Sequence, residues 1–561
     1  MRLRMIVCAA LMAAAPLAGA QEADLEDAIA YLSGASSPED LDENEIERFT
    51  SLAMRRVNIN TAPESRLVAS GLFTRYQAAS VADCRKRTGD ILSAAELALV
   101  DGFDEALASA LEPFVSFATS TSPGRSSLEH GRTAVESLAR TAVRRNEDGG
   151  AWNYALKCRV GDSDRWEAAL AAKSPYGGSV WPPDAISGSA AVYGRGLLSK
   201  AVAGDFNARF GQGLLLWSGF SLSGVSTAGG FAKHPAGVSP AWTLSPGATH
   251  RGAAVELAFR RLYLSAFATA DGLFGGNLSY YARSGQLGVT ALSEGRASLD
   301  WRWSLGTLDF FGEAAADPSV RAAAFVTGMT WNPAYQVKAS VSARNYPSGF
   351  CDTYSGAQRS STHTRDERGF SAGFDYKTFT VTADWCEHPS KSTRQFKSIM
   401  KWTPTVTEWL AGEARATARH RPADPCPWRA DGRLSAMLAG PGGISLKGCA
   451  ACARSRDFSW LFYVEGGWLR ERSDSRLSAY VRGTAFKVDS WEDRIYIYER
   501  DIPGAFSVPA YYGRGVSLSA VASFKHGKTS LSIRASMTEY PGMRERKPGK
   551  AELKFQFQTV I

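Results

Sequence analysis

The chain has 561 residues, of which 44% are hydrophobic and 21% charged, with a formal net charge of +8. That length admits several domains or one very large one. No run of 18 apolar residues follows the first segment, which excludes a transmembrane helix in the remainder, and eight cysteines are too sparse for a disulfide scaffold.

"MRLRMIVCAALMAAAPLAGAQ" carries Arg2 and Arg4, an apolar run from Met5 to Ala15, and the small-x-small site Ala18-Gly19-Ala20. This is the secretory pattern, too short to span a bilayer. It predicts a signal peptide over 1–20, cleaved after Ala20. Cys8 lies inside the apolar run, where a lipoprotein cysteine would not.

Charge then divides the chain. Residues 21–54 hold ten acids against Arg48 alone, for −9; residues 55–118 carry −1; residues 119–561 carry +16. In 21–54 the spacing of Leu25, Ile29 and Leu32, then of Leu41, Ile46, Phe49 and Leu52, predicts two amphipathic helices flanking the turn "GASSPED".

The stretch "VNINTAPESRLVASGLF" follows. Thr61-Ala62-Pro63-Glu64 has the form of a capping box, predicting a helix to about Ala69 that Gly71 ends. "TRYQAASVADCRKRTG" predicts a second helix, "SAAELALV" a third capped by Ser93, and "DEALASALEPFVSF" a fourth beyond Gly102. Asn58 to Ala62, Leu67, Gly71, "ELALVDGF" and "LEPFVSF" resemble a tandem helix-hairpin-helix domain of exported competence-type DNA-binding proteins, over about 55–118. The arrangement is similar to an uncharacterised Gram-negative family that fuses an acidic start and this domain to a C-terminal outer-membrane barrel. The resemblance implies DNA as a partner, held at the hairpin glycines Gly71 and Gly102, with Arg85, Lys86 and Arg87 as the basic cluster. The residues depart from that chemistry. In the family each hairpin reads Gly-x-Gly, so that backbone N–H groups approach a phosphate. Here the hairpins read Gly71-Leu72-Phe73 and Gly102-Phe103-Asp104, where Phe73 would crowd a phosphate and Asp104 would repel one. A net −1 also lacks the basic charge on which non-specific DNA binding rests.

Past a linker at 119–126 the period changes to two. "YQVKASVSAR", "FSAGFDYKTFTVTADW", "VSLSAVASF", "SLSIRASM" and the closing "AELKFQFQTVI" each alternate apolar with polar residues. Arg260-Arg261, Asn332-Pro333, Lys377-Thr378, Thr403 to Thr405 and His526-Gly527 read as tight turns. "NYPSGFCDTYSGAQRSSTHTRDERG", "KVDSWEDRIYIYERDIPGAFSVPAYYGRG" and "PGMRERKPGK" read as long external loops. Short turns alternating with long loops, a polar second face, and Tyr376, Phe379, Trp385, Trp402 and Trp409 near strand ends are the marks of a transmembrane β-barrel. The fold class is therefore α + β multidomain: a small all-α unit, then an antiparallel barrel over 127–561. At roughly 18–20 residues per strand and connection it has on the order of 22 strands, range 18–26. Gly211-Gln212-Gly213 in 204–222 reads either as a tight backbone bend on the lumen wall or as strand glycines at a barrel kink; that stretch and 496–515 also resemble the fused family.

Seven histidines, at 130, 234, 250, 363, 388, 420 and 526, stand singly. Cys449-Ala-Ala-Cys452 lies in a strand pattern, where positions three apart face opposite sides. No nucleophile, metal or cofactor motif is read, so catalytic, metal and cofactor residues are all expected to be none, and the chain not an enzyme. The expected location is the outer membrane with the N-terminal unit in the periplasm. The expected partners are outer-membrane lipid and lipopolysaccharide, the outer-membrane assembly machinery, a periplasmic protein, or DNA. The charge split predicts that residues 22–54 dock at or inside the barrel mouth, with Lys338, Arg344, Arg482, Arg534 and Lys554 as lumen-side cations.

Overall fold

The computed structural model describes residues 20–41, 43–119, 133–146, 149–162, 165–194, 196–219, 221, 224–244, 249–282, 284–334, 336–350, 353–541 and 548–561. Residues 1–19, most of the signal peptide, and 120–132, most of the linker and the expected start of the barrel, lie outside them. The described chain begins with six helices: α1 (Ala20–Ser33), α2 (Glu43–Met54), α3 (Glu64–Ala69), α4 (Arg75–Thr88), α5 (Ala94–Leu97) and α6 (Glu105–Leu111). None of the described helices is long and apolar enough to cross a membrane.

The helices share one core, in which Ile29, Phe49, Ile59, Leu67, Phe73, Val81, Leu97, Leu111 and Phe114 are all buried. The stretch that resembles a hairpin domain closes this core. Val57 and Asn58 pair in parallel with Val115 and Ser116, clasping its two ends. The Asn60 amide donates to the Ile91 carbonyl and its carbonyl accepts from Ile91 N–H, both at 2.9 Å. Ser93 and Asp104 cap α5 and α6 through N–H groups three residues on. The expected capping box at Thr61 is not formed: α3 starts at Glu64 behind Pro63, without a side-chain cap. The reciprocal box sits one helix later, on Thr74 and Gln77 at the start of α4.

From Ala134 onward the chain forms one closed antiparallel barrel of 24 spanning strands, sealed by pairing of Ala134–Asn146 with Lys550–Val560. The expectation of about 22 falls two short, because hairpins such as Phe274–Tyr281 and Gly285–Leu292 are tighter than the spacing assumed. In Thr529–Glu539 the residues Leu531, Ile533 and Met537 are exposed, while Ser532 and Arg534 are buried. An apolar face turned outward and a polar face buried inward are inverted relative to a soluble protein and match a bilayer-facing wall. Cys449 and Cys452 are free, the first buried and the second half-buried, as strand residues on opposite faces.

All connections at one end are short, and that end carries both barrel termini; the other end carries 210–249, 347–366, 489–512 and 540–549. The turn expected at Asn332-Pro333 lies at Gln336 instead, where φ is +56°; a bulge between Trp331 and Ala334 lengthens the strand. Part of the stretch "PGMRERKPGK", 542–547, lies outside the described residues. The loop 489–512, expected to face outward, folds into the lumen: Arg534 pairs with Glu499 at 2.6 Å and Lys554 with Asp501 at 2.6 Å. The described residues of 210–249 also fold inward. Its "GQGLLLW" turn is held by the buried Glu313 carboxylate, which accepts from the N–H groups of Gln212, Leu214 and Leu215. The Gly211-Gln212-Gly213 stretch is thus a tight lumenal turn, the first of its two sequence readings, and not a strand kink.

Val464→Arg places a cation on the lipid face midway along its strand. It is expected to destabilise the barrel by about 2–4 kcal/mol, measured as a shift in urea-driven unfolding in phospholipid vesicles, while Arg at the exposed loop position Ser348 should have little effect.

Candidate functional site

The helical unit meets the polar, buried face of the barrel wall, so it occupies the lumen. Its contacts run around the circumference. Of the ten acids in 21–54, Glu22, Asp24, Asp27 and Asp42 have no described side chain. Each of the other six meets a cation of the wall or of an inward loop. Glu39 pairs with Arg433 at 2.5 Å and Asp40 with Arg415 at 2.9 Å. Glu43 lies 3.9 Å from Arg140 and 3.7 Å from Lys173. Glu45 lies 3.6 Å from Arg209, and Glu47 pairs with Lys157 at 2.5 Å. Glu26 accepts from the Tyr498 hydroxyl at 2.7 Å and lies 3.9 Å from Arg500. Backbone contact is equally close: a Cβ on Gly34 would fall 2.8 Å from Gly230 Cα in the inward segment, and Gly34 has φ +70°. Only glycine fits there.

Nearer the turn end, the start of the hairpin stretch docks. Arg66 lies 3.6 Å from Glu167 and stacks its guanidinium over Tyr193. The Arg75 guanidinium binds the buried Glu256 carboxylate, which also receives Ser199 and Ser265 and lies 3.6 Å from Lys200. Arg55 donates to the Gly161 carbonyl at 2.8 Å. Between α2, α3 and the wall remains a cavity of about 130 Å³, lined by Glu45, Arg48, Arg66, Gly71, Arg159 and Arg209 among others. It has room for a few waters or a small polar solute.

The residues expected to touch DNA separate into two groups. Gly71 lies against Arg48 of α2 and Gly102 against Tyr76 and Gln77 in the first turn of α4, with φ +72° and +89°. Gly71 is half-buried, and an added Cβ there would strike Arg48; Gly102 is exposed, although an added Cβ there would strike Tyr76. Phe73, in the place of a second hairpin glycine, is a core residue packed edge-on to Phe103. Asp104, in the other such place, is the α6 cap. Arg85, Lys86 and Arg87 lie at the far end of α4, about 15 Å away at 1.5 Å per residue. Arg85 is committed to the carbonyls of Ile59 and Ala62. Arg87 pairs with Asp83, and Lys86 is exposed.

The lumen cations named from sequence also need correcting. Arg344, Arg482, Arg534 and Lys554 do face inward, but Glu367 and Asp384, Glu465, Glu499 and Asp501 hold them. Lys338 also lines the inward face, with its ammonium 3.9 Å from the position a Gly229 Cβ would take. The acidic segment meets Arg140, Lys157, Lys173, Arg209, Arg415, Arg433 and Arg500 instead. Parity alone picks inward residues; it does not say which are left over once wall carboxylates have paired. Sequence reading likewise passed over Glu367, Cys386 and His388, which the barrel brings together with ligand-bearing atoms within 4.8 Å of one another. The available signal was Cys-x-His in one strand, which puts both on one face.

A closed antiparallel wall, an apolar exterior and a lumen filled by the chain's own helices define a plugged outer-membrane-type β-barrel. No family model and no curated protein matches the sequence. Solved structures do resemble it. The P pilus usher PapC translocation pore is 9% identical, with TM-score 0.37, over 76% of this chain and 99% of that chain. OprD of Pseudomonas aeruginosa is 10% identical, with TM-score 0.30, over 76% and 94%. OccK3 (OpdO) of Pseudomonas aeruginosa is 8% identical, with TM-score 0.29, over 77% and 96%.

Burial alone would raise the Glu39 carboxyl, but Arg433, the Tyr498 N–H and Arg415 outweigh it and hold it at about 2, against an ordinary 4.5. Its share of docking stability is therefore complete above pH 4.5 and disappears as pH falls through 2. Protease release of the helical unit should rise across that window, and Glu39→Gln should flatten this rise. A double-mutant cycle of Glu39→Gln with Arg433→Gln should give a coupling of about 0.5–3 kcal/mol in urea-dependent protease accessibility.

Proposed function

We propose that the chain is an outer-membrane transport barrel gated by its own N-terminal helical unit. The observation that carries this reading is the pairing of every described acid in 21–54 with a cation of the wall or an inward loop. Packing greasy helices would seal a lumen permanently. Ion pairs at a wet interface hold a plug in one register yet weaken with salt and with competing charge. In this reading the end with short turns faces the periplasm and the long loops face lipopolysaccharide. The outward Leu553, Phe555 and Phe557 of the last strand are what the assembly machinery meets.

Residues 55–118 are, on this proposal, a tandem helix-hairpin-helix domain kept as a plug scaffold. The rival reading is a DNA-handling barrel. The Arg48 guanidinium over Gly71, the Arg75–Glu256 contact at the start of α4 and the commitment of Arg85 to backbone carbonyls weigh against it. A periplasmic protein could engage the outward part of α4 to α6, where Tyr76, Leu92 and Leu99 are exposed. Such engagement would pull on the plug from the side where it is least attached.

Planar-bilayer recording tests the proposal. The intact chain should conduct poorly, more salt should raise its open probability, and deleting 22–54 should give a large, weakly salt-dependent conductance. Equal conductance with and without 22–54 would overturn it. Salt-sensitive DNA retention by the full chain, lost on replacing Lys86 and Arg87, would favour the rival.

A further inference from the structure

We propose that Glu367, Cys386 and His388 form a binding site for a thiophilic divalent cation of the zinc class, fastening loop 347–366 to the barrel wall. Cys386 and His388 are two apart on Phe379–His388 and so share its inward face. Arg368 pairs with Glu387 and Gly369 with Cys386, which sets Glu367 opposite His388 on the neighbouring strand. The three side chains are buried, at 0%, 1% and 7% exposure for Glu367, Cys386 and His388.

Geometry points to a metal more than to a hydrogen bond. Cys386 Sγ and His388 Nε2 are 3.9 Å apart, long even for a sulfur contact. Tetrahedral zinc with its usual Zn–S and Zn–N lengths separates those atoms by about 3.6 Å, so only a small closure is needed. His388 Nδ1–H donates to the Asp366 carbonyl at 2.8 Å, which leaves the Nε2 lone pair aimed at the sulfur. A backbone carbonyl on the far ring nitrogen is the usual support of a metal-binding imidazole. Glu367 Oε1 accepts from Arg344 at 2.6 Å, and Oε2 accepts longer contacts from Ser360 and Ser361 N–H at 3.2 Å and from the Ser361 hydroxyl at 3.0 Å. Oε2 is the oxygen that would turn to a cation.

Charge agrees. Arg344 also binds Asp384, at 2.8 Å. With both carboxylates ionised, one buried cation faces two buried anions. A divalent cation that displaces the Cys386 thiol proton brings the cluster to neutrality, and the released proton passes to solvent. Three protein ligands leave a fourth position for water. The consequence is mechanical: Ser360 and Ser361 are gathered onto Glu367, so a filled site ties the loop to two strands at the loop end.

The test is a Co²⁺ titration of the full chain in detergent after dialysis against a chelator. One equivalent should bind, with a thiolate-to-cobalt charge-transfer band and tetrahedral visible bands, both lost when Zn²⁺ is added. A chain in which Cys386 is the sole cysteine should keep the signal, and Cys386→Ser should lose it. His388→Ala should weaken binding by more than the roughly 10–100-fold that loss of an outer-shell partner costs. Heat-modifiable gel mobility reports folding of each variant; should Cys386→Ser fail it, the sole-cysteine chain and His388→Ala decide. No charge-transfer band in the intact chain, or a band that survives both Cys386→Ser and His388→Ala, would overturn the site. Neither result bears on the plug, whose acids lie elsewhere.

Discussion

Everything in this molecule depends on opposite charge confined to one lumen. A segment carrying −9 is threaded into a wall that belongs to a +16 remainder. A 24-strand barrel cannot fill its interior with wall side chains alone. An inward polar face of that size would be a water-filled pore. The chain fills it with its own helices and two inward loops, and the cost of withdrawing so many wall cations from water is met by the carboxylates those pieces bring.

This solution has a specific energetic character. A buried pair contributes little net stability compared with an apolar replacement, yet losing one partner leaves an uncompensated charge. The pairs therefore fix where the plug sits more than how tightly it sits. Tethering makes the encounter intramolecular, so weak net attraction suffices. The Arg75–Glu256 and Arg66–Glu167 contacts near the turn end are the most enclosed of the plug–wall pairs described, with all four side chains at 8% exposure or less. The acids of α2 and its preceding turn lie deeper and bridge to several strands. A plug built this way can be stable at rest and still respond to salt, pH or a pull.

Much of this was legible in the sequence because period and charge are local. Alternation in "YQVKASVSAR" and "FSAGFDYKTFTVTADW" gave strands and their inward faces, and helical spacing gave Ile29, Ile46, Phe49 and Leu52 as core. The Ser93 cap and the helix-ending glycines at 71 and 102 were equally readable. What stayed hidden depends on long-range pairing. The loop 489–512 looks external because it is long and polar, yet Glu499 and Asp501 are what Arg534 and Lys554 require. Phe73 and Asp104 looked like damage to a phosphate site; they are a core residue and a helix cap, roles that need the packed helices to be seen. The wall partners of Glu39, Asp40, Glu45 and Glu47 are some 110 to 394 residues away, beyond any sequence window.

The central claim is that the acidic segment sits against the lumen wall, and zero-length carbodiimide coupling tests it directly. Lys157 and Glu47 are 2.5 Å apart across the plug–wall boundary; Lys554 and Asp501 are 2.6 Å apart between the wall and an inward loop, and serve as the control. Peptide mass spectrometry of the folded chain should find both amide links, with the Lys157–Glu47 link disappearing on transfer to high salt. Finding the Lys554–Asp501 link without the Lys157–Glu47 link at low salt would contradict the account.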